Sequence, residues 1–125
     1  MSILLIILLI ILLIVLMLIL LGYYYTYSGV DLISNKEAKK MIDNYKIDYI
    51  IDVRTKTEYE VGHYPGAINI PVDSINESTL PEDYKTSSFL VYCNTGQRAR
   101  YAATKMKDIG VEEVYYISGM YSSIL

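Results

Sequence analysis

"SSFLVYCNTGQRARYAATKM", residues 87–106, changes its hydrophobic period in mid-course. Up to Tyr92 the apolar residues run almost without a break, the pattern of a strand covered on both faces. Beyond Gly96 the small and apolar residues Ala99, Ala102, Ala103 and Met106 recur at helical spacing, and Gly110 is placed to end that helix. The stretch therefore reads as strand, tight loop and helix, with Cys93 at the point where the strand gives way.

The flanking sequence repeats this alternation. "VDLIS" (30–34) has strand character and runs into Ser34-Asn35-Lys36-Glu37, an S-x-x-E capping box. The helix that follows carries Ala38, Met41, Ile42 and Tyr45 at i, i+3, i+4 and i+7, a stripe expected to face the core. "DYIIDV" (48–53) is a compact apolar strand, and Thr55 with Glu58 forms a second capping box opening a brief helix. "AINIPV" (67–72) is the next strand candidate, followed by the polar segment "DSINESTLPED"; "EEVYYI" (112–117) supplies the last strand. Near-continuous apolar strands separated by helices predict an α/β fold, a parallel sheet with helices on both faces. Ligands of such sheets bind beyond the carboxyl ends of the strands, where Cys93 lies.

That position suits a nucleophile. Backbone N–H groups converge at a helix N-terminus and the helix dipole favours negative charge there, so both stabilise a thiolate. Gly96 lets the loop curl with successive N–H groups turned inward. Arg98 offers a guanidinium fork matched to an oxyanion such as sulfonate, sulfate or phosphate. The strand–Cys–Gly–Arg–helix order points to a cysteine nucleophile in an anion cradle rather than an inert buried thiol.

Composition narrows the chemistry. The 125 residues hold 14 acidic and 11 basic side chains, a net charge of −3, which gives no basic footprint for nucleic acid. The single cysteine excludes an intramolecular disulfide framework, and with one histidine, His63, no zinc site and no cofactor are expected. The 14 tyrosines suggest no function.

The N-terminus is a different material. Residues 3–21 are nineteen consecutive Ile, Leu, Val or Met. At ~1.5 Å rise per residue they make a helix close to the ~30 Å hydrocarbon core of a bilayer. Tyr23, Tyr24, Tyr25 and Tyr27 follow as an aromatic belt. No basic n-region precedes the run, it exceeds a signal peptide's ~7–15 apolar residues, and no A-x-A-like site follows. The expected organisation is a transmembrane anchor at 1–22, a tether at 23–29 and one domain at 30–125. Lys36, Lys39 and Lys40 after the anchor favour a single-pass protein with its domain on the cytoplasmic side, a compartment that keeps a thiol reduced.

"IIDVRTKTEYEVGHYPGAINIPV" (50–72) resembles the signature stretch of rhodanese-like domains, with D-V-R, Glu and an aromatic, and G-H-x-P-G-A-x-N-I-P. "VYCNTGQR" (91–98) resembles their active-site loop C-x-x-G-x-R, and "VYYISG" (114–119) their closing strand and turn. The likeness covers nearly all of residues 30–125. It departs from the family at Ser118, where the first of two glycines is usual, and near Ser123, where a tryptophan often stands; a short final helix is expected. The resemblance implies a central five-stranded parallel sheet and a cysteine that accepts sulfane sulfur from a donor such as thiosulfate or a persulfide. The cysteine then passes that sulfur to a thiophilic acceptor, a thiol or cyanide. It makes Cys93 the nucleophile, with Asn94, Thr95, Gly96, Gln97 and Arg98 forming the loop around the sulfur and Arg98 binding the anionic donor. Asp52 and Arg54 match supporting positions and are expected to form a buried ion-pair network. Glu58, beyond its cap, is expected to pair with Arg54. His63 fixes the turn before Pro65-Gly66, and Arg100 is a solvated helix residue.

Three other functions fit the same features less well. Cysteine phosphatases of this fold use a C-x5-R loop, whereas Arg98 here gives C-x4-R, too small a ring for a phosphoryl group. A non-catalytic scaffold domain would not need the cysteine. A redox sensor lacks a resolving thiol.

Overall fold

A computed structural model describes residues 1–27 and 30–125, with side chains described through residue 24 and from residue 30 onward. Helix α1 spans Ile3–Tyr27. There follow β1 (Val30–Leu32), α2 (Asn35–Asp43), β2 (Tyr49–Asp52), α3 (Lys56–Val61), β3 (Ile68–Asn69), β4 (Ser88–Tyr92), α4 (Gln97–Ile109) and β5 (Glu113–Tyr116). Short 3-10 turns occupy Val72–Ser74 and Tyr121–Ile124.

The five strands form one parallel sheet in the order β1-β5-β4-β2-β3. The cysteine-bearing β4 is thus the central strand, and all five of its residues are buried. Its side chains alternate between two cores. Phe89 and Val91, with Cys93 just beyond, join Ala99, Ala102, Ala103 and Met106 of α4. Leu90 and Tyr92 face the other way, onto Ala38 of α2, Ile117 and Ile124. Three alanines on the buried face of α4 carry no bulk that would hold the helix off the sheet, so its first turn sits directly on the strand that delivers Cys93.

Local chemistry sets the element ends. Ser34 Oγ accepts from the Glu37 N–H to open α2, and Thr55 and Glu58 make the reciprocal box that opens α3. Gly110, at φ 112°, closes α4.

Three expectations need correction, and α1 runs on past the apolar residues. Tyr45 does not continue the core stripe of α2: Asn44 caps the helix, Tyr45 turns to φ 55°, and its side chain is 92% exposed. The strand drawn over 67–72 shrinks to Ile68–Asn69, because Pro71 has no N–H to extend an edge ladder. The polar segment 73–83 contributes Ile75 and Leu80 to the core, with Tyr84 just after it. The aromatic residues assigned to a tether continue α1 as helix through Tyr27, and residues 28 and 29 lie outside the described residues.

An 18-residue window within Ile3–Tyr24 of helix α1 has a mean hydropathy of 4.0, and none of that window is buried against the rest of the chain. A core helix of a soluble domain hides such a surface; this one leaves it entirely exposed.

Candidate active site

Cys93 follows β4 directly, and its thiol is completely enclosed. Two N–H groups reach the sulfur: Gly96 donates to Sγ at 3.1 Å and Ala99, in the first turn of α4, at 3.4 Å. The first turn of any helix has N–H groups with no partner inside the helix, and a side chain at the N-cap usually serves them. Here the N-cap is Gly96, which has no side chain to offer. The cysteine sulfur, brought round by the loop, takes that place. The sulfur thus sits where the helix N-terminus turns its free N–H groups.

Gly96 is required twice over. Its φ is +90°, a left-handed conformation that side chains disfavour. A Cβ built there would also lie 2.9 Å from Ser118 Cα. The loop is pressed against the backbone that follows β5.

Glu58 closes the loop from the opposite side. Arg98 donates through Nη1 to Oε1 at 2.7 Å and through Nη2 to Oε2 at 3.2 Å, a bidentate pair. Asn94 Nδ2 donates to the same Oε2 at 2.9 Å. The expected Glu58–Arg54 pair does not form, because Glu58 projects from the start of α3 toward the loop while Arg54 is consumed by Asp52. The Arg98 fork holds the Glu58 carboxyl down at about 2, with the Thr55 bonds adding to the effect. The same pairing raises Arg98.

Asp52 and Arg54 form the buried ion pair foreseen for them, but it supports a different part of the chain. Arg54 Nη2 donates to Asp52 Oδ2 at 2.6 Å and to the Gly62 carbonyl at 2.6 Å. Register places Asp52 beside Tyr92, whose hydroxyl donates to Asp52 Oδ2 at 2.7 Å and accepts from the Tyr64 N–H at 3.1 Å. The guanidinium also lies 5.2 Å from the Tyr121 ring centre. Burial, reinforced by Asp52, pushes the Tyr92 hydroxyl well above the usual phenol range. Asn69 Nδ2 completes the set by donating to the carbonyls of Asp52 and Arg54, both at 3.0 Å. This network fixes the segment after α3 to the sheet. Tyr92 and Asn69 were missed in the sequence; an aromatic in a strand and an Asn near a turn each have ordinary local explanations.

His63 stacks on Tyr59 at 3.6 Å between ring centres, and its Nδ1 lies 2.8 Å from the Tyr59 carbonyl. A carbonyl only accepts, so Nδ1 carries the proton. The ring packs on the last turn of α3.

Thr95 and Gln97 are exposed on the loop. An open hollow of about 330 Å³ lined by Val72, Asp73, Gln97, Arg98 and Tyr101 lies on one side of the loop. A second, of about 200 Å³, is lined by Thr95, Gly96, Gln97, Arg100 and Ser118 among others. Arg100 is exposed, as expected, and flanks the loop. Among the described residues no cluster of His, Cys, Asp and Glu is suited to hold a metal ion.

The family model described as "Rhodanese-like domain" matches residues 34–125. A protein named tRNA uridine(34) hydroxylase, from Buchnera aphidicola subsp. Baizongia pistaciae, is 33% identical over 92 residues, covering 70% of this chain but 29% of the relative. The chain thus spans less than a third of that protein's length. Among solved structures, a human single-domain sulfurtransferase superposes with a TM-score of 0.60 at 21% identity, covering 76% of this chain and 95% of the other. The reduced CoADR-RHD of Bacillus anthracis superposes with a TM-score of 0.62 at 27% identity, covering 78% of this chain and 17% of that one.

Proposed function

The chain belongs to the family of rhodanese-like domains, and we propose that it moves sulfane sulfur from donor to acceptor through a persulfide on Cys93. The observation that carries this reading is the pair of N–H bonds to Cys93 Sγ from Gly96 and Ala99 at the head of α4. They place two backbone donors on the sulfur that would carry the transferred atom.

In the first half-reaction the Cys93 thiolate attacks the outer sulfur of the donor. With thiosulfate, a new S–S bond forms to Cys93, the donor's S–S bond breaks, and sulfite leaves with the electron pair. With an alkyl persulfide, R–S–SH, the leaving group is the thiolate RS⁻. In the second half-reaction a thiolate or cyanide attacks the outer persulfide sulfur, and the Cys93 thiolate is the leaving group. No net oxidant or reductant is needed. Asn94, Thr95, Gly96, Gln97 and Arg98 form the loop around the transferred atom, while Asp52, Arg54 and His63 act at a distance by holding the neighbouring chain.

We also place the protein in a membrane through residues 3–21, with the domain at 30–125 on the cytoplasmic side. The exposed apolar α1 and the three lysines after it support this arrangement. The tRNA hydroxylation in the relative's name is not transferred: less than a third of that protein is matched, and a net charge of −3 gives no electrostatic footprint for RNA.

The test is to incubate detergent-solubilised full-length protein with thiosulfate or an alkyl persulfide and weigh it. One added sulfur, absent in Cys93→Ser and released by cyanide, is expected. No added sulfur from either donor would return the domain to a binding role. Hydrolysis of aryl phosphates in its place would make it a phosphatase.

A further inference from the structure

Arg98 is the loop's only side-chain cation, yet both arms of its fork are held by Glu58 at 2.7 and 3.2 Å. The two side chains are 35% and 32% exposed, so this is a partly desolvated pair and not a loose surface contact. Glu58 also takes Asn94 Nδ2 at 2.9 Å, so one carboxylate grips both ends of the cradle. Held down at about 2, it is fully ionised at neutral pH. A second carboxylate, Asp73, lines the same hollow as Arg98. The other nearby arginines do not replace the lost charge there: Arg54 is paired with Asp52, and Arg100 lines the separate hollow beside Thr95.

The same loop holds an unmet acceptor. Asn94 Oδ1 is buried without a hydrogen-bond partner among the described residues. A buried carbonyl oxygen left without a donor adds its partial negative charge to that of the Glu58 carboxylate, against an incoming dianion.

Resting on the sulfur-transfer reading above, we propose that Glu58 is a specificity-determining residue: by occupying the Arg98 fork it selects low-charge alkyl persulfides as donors and disfavours dianionic thiosulfate. A dianion must displace a carboxylate already seated in bidentate geometry and approach a second one. A persulfide with no charged group beyond its sulfurs needs neither step. Glu58 touches no reacting atom in this account; it acts through Arg98.

Glu58→Gln isolates the effect, since Gln at the same position preserves the capping box that opens α3. Three readouts decide it: sulfate affinity by calorimetry, and KM with thiosulfate and with 2-hydroxyethyl persulfide, each on full-length protein with a cooperative melt. In the unaltered protein, kcat/KM is expected to favour the persulfide. In Glu58→Gln, sulfate Kd and thiosulfate KM should both fall about tenfold, the scale of one charge-assisted fork released, while persulfide KM stays within about twofold. Glu58→Ala should show the same gain in sulfate affinity, and Arg98→Gln added to either variant should cancel it. Unchanged sulfate affinity in the folded variants, or a native preference for thiosulfate, overturns the proposal. If neither donor loads sulfur, the sulfur-transfer reading fails, and the donor-selection proposal with it. The sulfate titration would then still report separately whether Glu58 masks Arg98.

Discussion

Gly96 and Ser118 meet backbone to backbone: a Cβ on the glycine would stand 2.9 Å from Ser118 Cα. The loop that carries the nucleophile is therefore seated against the turn after β5, and its conformation depends on the absence of one methyl group. Gly96→Ala combines that collision with a φ of +90°, which costs an L-residue about 1–2 kcal/mol by itself. The chain is expected to fold with its Sγ cradle shifted, and displacement of a reacting group by about 1 Å lowers rates roughly a hundredfold. The check is the rate of single-sulfur loading on Cys93. A rate equal to that of the unaltered protein would mean that the two N–H groups on the sulfur contribute nothing.

The Asp52–Arg54 pair predicts a stability effect. Asp52→Asn leaves a guanidinium that is 4% exposed without its counter-charge and weakens the Tyr92 bond as well. Removing one partner of a buried pair typically costs about 3–5 kcal/mol, so chemical unfolding should show a loss of that order. A loss below about 1 kcal/mol would place the pair in a far wetter environment than its burial indicates.

Glu58 predicts a pH window. Its carboxyl falls from the ordinary 4.5 to about 2 on folding, chiefly through Arg98. A depressed carboxyl stabilises the fold fully above its unfolded value and loses that contribution as pH falls toward its folded value. Between pH 4.5 and 2 the unaltered protein should thus lose stability that Glu58→Gln never had. Melting temperatures of the two, measured across this range, should converge as pH drops. A constant gap would remove the ion pair as its source.

The apolar helix predicts partitioning. Full-length protein should remain in membrane pellets through carbonate extraction, and an impermeant thiol reagent on intact cells should leave Cys93 unlabelled. Recovery in the soluble fraction ends the anchor assignment, and prompt labelling reverses the topology. The second arm needs a control in detergent, because Cys93 is fully enclosed in the folded loop.

What the sequence discloses here is local. The α4 stripe, the Thr55–Glu58 box and the strand leading to Cys93 depend on residues within a turn of each other, so spacing alone reveals them. Glu58 illustrates the limit. Its capping role accounts for it locally, and nothing near it in the chain signals that its carboxylate also reaches Arg98, forty positions away. The resemblance placed both residues in one site and still paired Glu58 with the wrong arginine, since a motif records positions and not which guanidinium a buried aspartate has already taken. Tyr45 shows the opposite error. The helical period runs through it, but the chain leaves the helix at Asn44, and periodicity holds no information about that exit. Ile75 and Leu80 were hidden because irregular backbone has no period to read.

The pairing of β1 with β5 has a consequence for how the protein is made. β1 lies at one edge of the sheet, and its single neighbour is the last strand to be synthesised. Val30 must wait for Val114, so the sheet has no route to completion one strand at a time behind the ribosome. An α1 that enters a bilayer early would hold β1 beside the lipid surface, unpaired, while the remaining strands emerge. Closing the ring of contacts is then a late event of biogenesis, and until it happens the exposed edge of β1 is a place where a chaperone or another nascent chain has access.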